Sequence, residues 1–360
     1  MQTFRESREQ PEIAASTLPG NSDNVPDRDS VATVFQEQSP RLPLSARFIV
    51  TGAIWEISTN CQEILAIMQD VFQPDANEFS LPDLKLGFYV DFELTESARQ
   101  SCPHFRALEH LYYGTYGPGD SMLVDQLTRR VVGSFSLATI RDAGYWKRVI
   151  LPCLVGIASS CVGIAPVHCA CVVKGQQGLL MHGESGSGKS TLALSLSLQG
   201  FSYLADDCTY LSLSERKLQC WGSSAPLKLL PEGVAHFPRL ASLAPSQSLN
   251  GEIAFQIDPT EVFGVARSLS CEPRWLLFIE RTSDASASFR ALDRAEAARR
   301  LASDLEVLPP CLADQRNRQL AMIDTLVQRE CWVVRHGLQP KALALAITQF
   351  CSMNRDADAS

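Results

Sequence analysis

Lysine is scarce in this chain of 360 residues, only seven of the 32 basic side chains, so each one is worth inspecting. Positive charge as a whole is in deficit: 32 basic against 40 acidic residues gives a net charge of −8. A broad basic face for nucleic acid is thereby excluded. The 12 cysteines include no C-x-x-C pair, and the closest two, Cys169 and Cys171, alternate along an apolar stretch. A metal or disulfide framework needs tighter grouping, so reduced core cysteines in a reducing compartment are expected. Polar residues fill the N-terminus, Met1-Gln-Thr-Phe-Arg-Glu, where a secretory signal would need an apolar segment. The expected location is therefore the cytoplasm. Charge is absent for a bilayer's length only over 149–173, and Pro152, Ser159, Ser160, Pro166 and His168 interrupt that run. It predicts a buried helix entering a buried strand, with no membrane partner.

What remains is an ordinary globular composition, 45% apolar and 20% charged, in a length that suits two domains. Residues 1–44 carry four basic and seven acidic side chains without periodicity, and read as a disordered acidic tail. Residues 45–145 read as a smaller, mixed α/β N-terminal domain. It would contain a strand over 47–55, a helix over 61–72, strands over 86–92 and 130–136, and a loop at Tyr112–Gly119. Residues 146–351 read as the main domain and 352–360 as a second disordered tail. The main domain should open with an apolar helix that Pro166 ends, followed by a hairpin over 167–182. Further strands are expected at 201–205, 274–279 and 331–335, with helices capped at Asp293, centred near 320–326 and starting at Pro340.

One motif carries chemistry. Gly183-Glu184-Ser185-Gly186-Ser187-Gly188-Lys189-Ser190 matches G-x-x-x-x-G-K-[ST] without deviation, between a predicted strand and a predicted helix that Gly200 ends. Its glycines let successive backbone N–H groups turn inward around phosphates, and the helix N-terminus adds partial positive charge. Lys189 would reach the β/γ oxygens, Ser190 would ligate Mg²⁺, and Thr191 continues the nucleotide-binding segment. Asp206 and Asp207 end the next strand, 17 residues beyond Lys189. Two adjacent carboxylates can divide labour, one holding Mg²⁺ and one taking a hydroxyl proton. The loop would also suit an ABC transporter ATPase, but the L-S-G-G-Q signature of that family is missing.

From Val167 to Leu211 the chain resembles the catalytic core of HPr kinase/phosphorylase and its relatives. The likeness consists of a histidine at a strand start, a hairpin, G-E-S-G-x-G-K-S, a short helix, a glycine and an apolar strand ending Ala-Asp-Asp. It implies an HPr-kinase-like P-loop core related to phosphoenolpyruvate carboxykinases. It implies an ATP- and Mg²⁺-dependent kinase acting on a serine or threonine hydroxyl of a protein or peptide, and allows a homo-oligomer. Thr191 stands where the family usually has glutamate, so the divergent, peptide-modifying members are the better comparison. Carried over by position, Asp206 takes the hydroxyl proton, Asp207 and Ser190 serve the metal, Lys189 balances phosphate charge and His168 tunes the Asp pair. The residues alone leave other outcomes open. His168 also suits a satisfied core histidine, and His182 the plain end of a strand. Lys228 is either a phosphate contact or a solvated lysine, while Arg239, Arg274 and Arg281 are unranked candidates to neutralise transition-state charge. A nucleotide-switched binding module and a small-molecule kinase are the alternatives in function.

Overall fold

The computed structural model describes residues 41–77, 79–96, 102–214, 217–223, 225–248 and 251–356. The tail expected over 1–44 therefore lies outside the described residues up to position 40. Arg41–Ser360 groups as one compact unit. It is a mixed α/β fold, and among the described residues its strands form eight-, nine- and three-stranded sheets.

The first sheet opens with a hairpin, Leu44–Val50 against Ala53–Thr59. The stretch 47–55, expected as one strand, folds back on itself because Thr51 and Gly52 both take positive φ, +50° and +89°. A two-residue loop of that kind matches the twist of an antiparallel pair. A second departure is Leu111–Gly117, expected as a loop, which is a strand between two antiparallel neighbours. Tyr112, Tyr113 and Tyr116 suit a pleated surface, and the turn is left to the residues around Gly119. The helix Gln62–Val71 buries Ile64, Leu65, Ile67 and Met68 against this sheet.

The apolar helix runs from Ala143 to Val162. By length and composition it could cross a membrane, yet Leu151, Leu154, Val155 and Ala158 are buried in the same core as Phe48, Trp55 and Phe88. Trp146 anchors it, with ring centroids 4.8 Å from Phe135 and 6.0 Å from Phe88. The helix thus belongs to the packing of the first sheet, although it lies past the sequence boundary at 145. Trp146–Ile150 is a π-helical segment. Pro152 has no N–H to donate four residues back, so the register widens just before it.

The second sheet puts the strands Gln177–His182, Ser270–Arg281 and Glu330–His336 parallel and adjacent. The helices Lys189–Ser197 and Pro340–Asp356 cover one face. Arg294–Ser303 and Ala313–Leu326 cover the other. The last helix continues past 351, where a tail was expected. Asp293 caps its helix as expected, its Oδ1 accepting from the amides of Ala295 and Glu296. Glu296 instead turns to Arg299 and Arg300, so only half of a capping box forms.

Candidate functional site

The strand Gln177–His182 enters the glycine-rich loop, and the helix Lys189–Ser197 leaves it, at the carboxyl end of the parallel strands. This end of an open α/β sheet is where ligands bind. Gly183 must be glycine, because a Cβ there would stand 2.8 Å from the carbonyl oxygen of Ile279. Gly186 and Gly188 take φ of +81° and +94°, with nothing within 4 Å of where a Cβ would sit. Their strain-free left-handed turns leave an open cradle. Glu184, Ser185 and Gly186 are exposed at its lip.

Lys189 is buried, and its Nζ donates to the carbonyl oxygens of Gly183 at 2.7 Å and Glu184 at 3.2 Å. Burial pulls its pKa down, while Asp207, Asp206 and Asp304 oppose that pull. Thr191 lies beside Gly233, where an added Cβ would stand 2.8 Å from its Oγ1.

The Asp pair divides sharply. Asp206 is 6% exposed. Its Oδ2 accepts from the backbone N–H of Lys228 at 2.8 Å, while Oδ1 makes no hydrogen bond of ordinary geometry. Burial pushes its pKa up to about 6, with the Ser190 hydroxyl and the Lys228 amide pulling the other way. Asp207 has an accessible side chain on a concave wall, and its Oδ1 lies 2.8 Å from His168 Nε2. That contact holds the Asp207 carboxyl below the usual range against a smaller effect of burial. His168 falls in the break between the strands Ala165–Val167 and Cys169–Lys174, which frees its side chain from the ladder.

Both carboxylates, Lys228 and Arg148 line a cavity of 230 Å³. Lys228 is tied by its Nζ to Glu252 at 2.5 Å; it serves the pair through its amide. Arg148 carried no signal in the sequence beyond being the last charge before the uncharged run. The arginines singled out earlier lie elsewhere: Arg239 stacks over Phe263 and Arg274 over Trp275, and Arg281 closes its strand. His182 ends its strand with Nε2 2.8 Å from Asp304 Oδ2, which ties the loop's entry to the helix Arg294–Ser303.

The donor set suits Mg²⁺, a hard cation that takes oxygen ligands. Asp206 Oδ1 makes no hydrogen bond of ordinary geometry, and the Ser190 hydroxyl interacts with the same carboxyl. Burial of this carboxylate is only partly offset by those contacts, and a cation there would offset the remainder. Among the described residues no group of three or more His, Cys, Asp or Glu gathers as a metal cluster, so protein ligands alone would not complete the shell.

No protein-family model matches the chain, and no curated protein matches it. Among solved structures it is similar to the Hpr(Ser) kinase/phosphatase from Coxiella burnetii. The TM-score is 0.29 at 13% identity, over 54% of this chain and 94% of that one. Overlap at that score carries no functional weight, which leaves the chain's own residues to support any activity.

Proposed function

We propose that this protein is a cytoplasmic, Mg-ATP-dependent kinase built on a P-loop core, and that it phosphorylates a serine or threonine hydroxyl of a protein or peptide. The observation that carries the proposal is the convergence of the cradle 183–188, Lys189, Ser190 and the Asp pair at one end of the sheet. Residues 183–191 hold the nucleotide, and Ser190 with one aspartate holds the metal. When bound, Mg-ATP supplies the γ-phosphoryl group and the metal's charge. Lys189 leaves its two carbonyl partners to balance charge on the phosphates.

The roles of the two aspartates are best exchanged relative to the order implied by family resemblance. A base must be reached by the hydroxyl it serves. Asp206 is nearly buried in the cavity wall and interacts with the Ser190 hydroxyl, which favours the metal. Asp207 is accessible and oriented by His168, which favours the proton. In this scheme Asp207 accepts the proton of the attacking hydroxyl, and His168 keeps the carboxylate ionised and aimed.

The test is label transfer. The full chain is given γ-labelled ATP, Mg²⁺ and a cell extract, in parallel with Lys189→Ala checked for folding by circular dichroism. Label entering polypeptide with the wild type, and none with the folded variant, is the expected result. Label entering only small molecules would overturn the acceptor class, and equal turnover in folded Lys189→Ala would overturn the nucleotide site.

A further inference from the structure

The cavity beside the Asp pair does not end there. A larger one of 660 Å³ adjoins it, and the two share Arg148, Ser223, Ala225, Pro226 and Gln256 in their walls. The larger cavity reaches from the glycine-rich half to Ile49, Thr51 and the helix end Asp70–Phe72 of the first sheet's layer. Its volume falls within the range of ligand sites, about 300–1,000 Å³. A hydroxyl presented to Asp207 would thus belong to a molecule whose remainder lies in this larger space.

Charge along the path is nearly all compensated. Lys147 pairs with Asp70 at 3.3 Å, Arg267 with Asp258 at 3.3 Å, and Lys228 with Glu252. Two charges are exceptions among the described residues: Glu261 in the wall of the larger cavity makes no ion pair, and Arg148, in the wall common to both cavities, is the one cation there that makes no ion pair or hydrogen bond. It also sits in the π-helical segment, whose widened register sets the direction of its side chain differently from a regular helix. A guanidinium presents a planar fork of donors that matches a carboxylate.

We propose that the larger cavity is the acceptor channel of the kinase and that Arg148 is its specificity-determining residue, selecting a hydroxyl flanked by an acidic residue of the same peptide. The inference rests on the kinase reading for the phosphoryl step but not for the binding step. Lys228, neutralised by Glu252, cannot supply the same recognition. Arg148 is exposed, so its substitution removes a ligand contact and leaves the core packing in place.

The probes are serine-centred nonapeptide pools whose positions flanking the serine are acidic, basic or alanine. Each pool is offered with Mg²⁺ and γ-labelled ATP to the full chain, to Arg148→Glu and to Arg148→Lys. The wild type should label the acidic pool about tenfold faster than the basic pool, Arg148→Glu should reverse that order, and Arg148→Lys should keep it in part. Binding of a fluorescein-labelled acidic nonapeptide, which needs no phosphoryl transfer, should weaken about tenfold in Arg148→Glu. The same pool order in wild type and Arg148→Glu would overturn the channel assignment and leave the kinase standing. Acidic peptide bound through Arg148, with no pool labelled, would support the channel and overturn the kinase. Free L-serine labelled in place of every peptide would overturn the peptide class.

Discussion

His168 Nε2 lies 2.8 Å from Asp207 Oδ1, and this one contact separates the behaviour of two adjacent carboxylates. Asp207 is held below the usual carboxylate range chiefly by that contact, whereas its neighbour Asp206 is pushed up by burial. Removing the imidazole in His168→Ala takes away the largest lowering contact at Asp207 and leaves burial opposed only by the charges of Lys228 and Lys189, so its pKa should rise. A base that must be ionised then loses activity at higher pH than before. The acid limb of the kcat/KM profile should move to higher pH in His168→Ala, with the alkaline plateau less affected. Asp207→Asn, by contrast, should lower the single-turnover rate by roughly 10²- to 10⁴-fold at every pH. A profile that His168→Ala leaves in place would remove His168 from the mechanism.

Asp206 makes the opposite prediction for stability. Its folded pKa of about 6 lies above the ordinary 3.8, so the folded protein holds this proton more tightly than the unfolded chain. Stability of the metal-free protein therefore falls as pH rises from about 4 to about 6, and the deficit is complete at pH 7. A displacement of that size corresponds to about 3 kcal/mol. Asp206→Asn should stabilise the metal-free protein at pH 7.5 by about 1–3 kcal/mol, a gain that vanishes near pH 4. The same variant should lose the additional stabilisation that Mg-ATP gives the wild type. Denaturant titrations at the two pH values, with and without Mg-ATP, check both halves.

The glycine-rich loop, the Asp pair and His168 were legible because each is a local pattern: spaced glycines, a strand ending in two acids, a histidine opening a strand. What the pattern could not carry was pairing across the chain. The amide that holds Asp206 comes from Lys228, and Arg148 arrives on a helix that packs with the first sheet. Asp206 and Asp207 look alike in sequence; only burial and the imidazole tell them apart. Among the elements, long apolar strands such as Ser270–Arg281 were found, though shortened at both ends. The hairpin at Thr51-Gly52 was missed because two positive φ angles, not composition, reverse the chain there. The strand at Tyr112–Tyr116 was missed for the converse reason: glycines next to tyrosines suggest a turn, and two neighbouring strands decided otherwise.

Two glycines of the same loop should fail differently. In Gly183→Ala the new methyl meets the Ile279 carbonyl oxygen, a backbone atom of the neighbouring parallel strand that cannot swing aside. Overpacking of that kind costs typically about 1–3 kcal/mol, and the melting temperature should fall accordingly. Gly186→Ala meets nothing, and pays only about 1–2 kcal/mol for a left-handed conformation. Restricting this glycine disfavours the left-handed turn that shapes the cradle, so ATP affinity should fall by about tenfold or more, a larger consequence than its loss of stability. Calorimetric melting and ATP titration of both variants separate the effects, and an ATP affinity untouched in Gly186→Ala would place the phosphates elsewhere.

His336, in the strand Glu330–His336 at the loop's end of the sheet, sets a limit on how far acid can help. It is 5% exposed, and neither ring nitrogen has a hydrogen bond of ordinary geometry. Burial is the main cause that lowers its pKa; a backbone contact at Leu338 opposes it and the charge of Arg281 reinforces it. The histidine is therefore neutral in the folded protein, and the unfolded chain binds its proton more readily. Stability from this group is present above the ordinary histidine pKa, about 6.5, and is lost as pH falls through the lowered folded value. The trend runs against that of Asp206, so the pH optimum of stability reflects both. Replacing the ring in His336→Leu removes a buried polar group whose hydrogen bonding is incomplete, and a buried polar atom left unsatisfied costs about 1–3 kcal/mol. The variant should match or exceed the wild type at pH 8 and exceed it by a growing margin as pH falls below 6.5. Combined with Asp206→Asn, it should leave a stability profile flatter between pH 4 and 7 than either single variant. Denaturation midpoints across that range decide it: a His336→Leu margin that shrinks toward acid would mean the histidine is charged in the folded state.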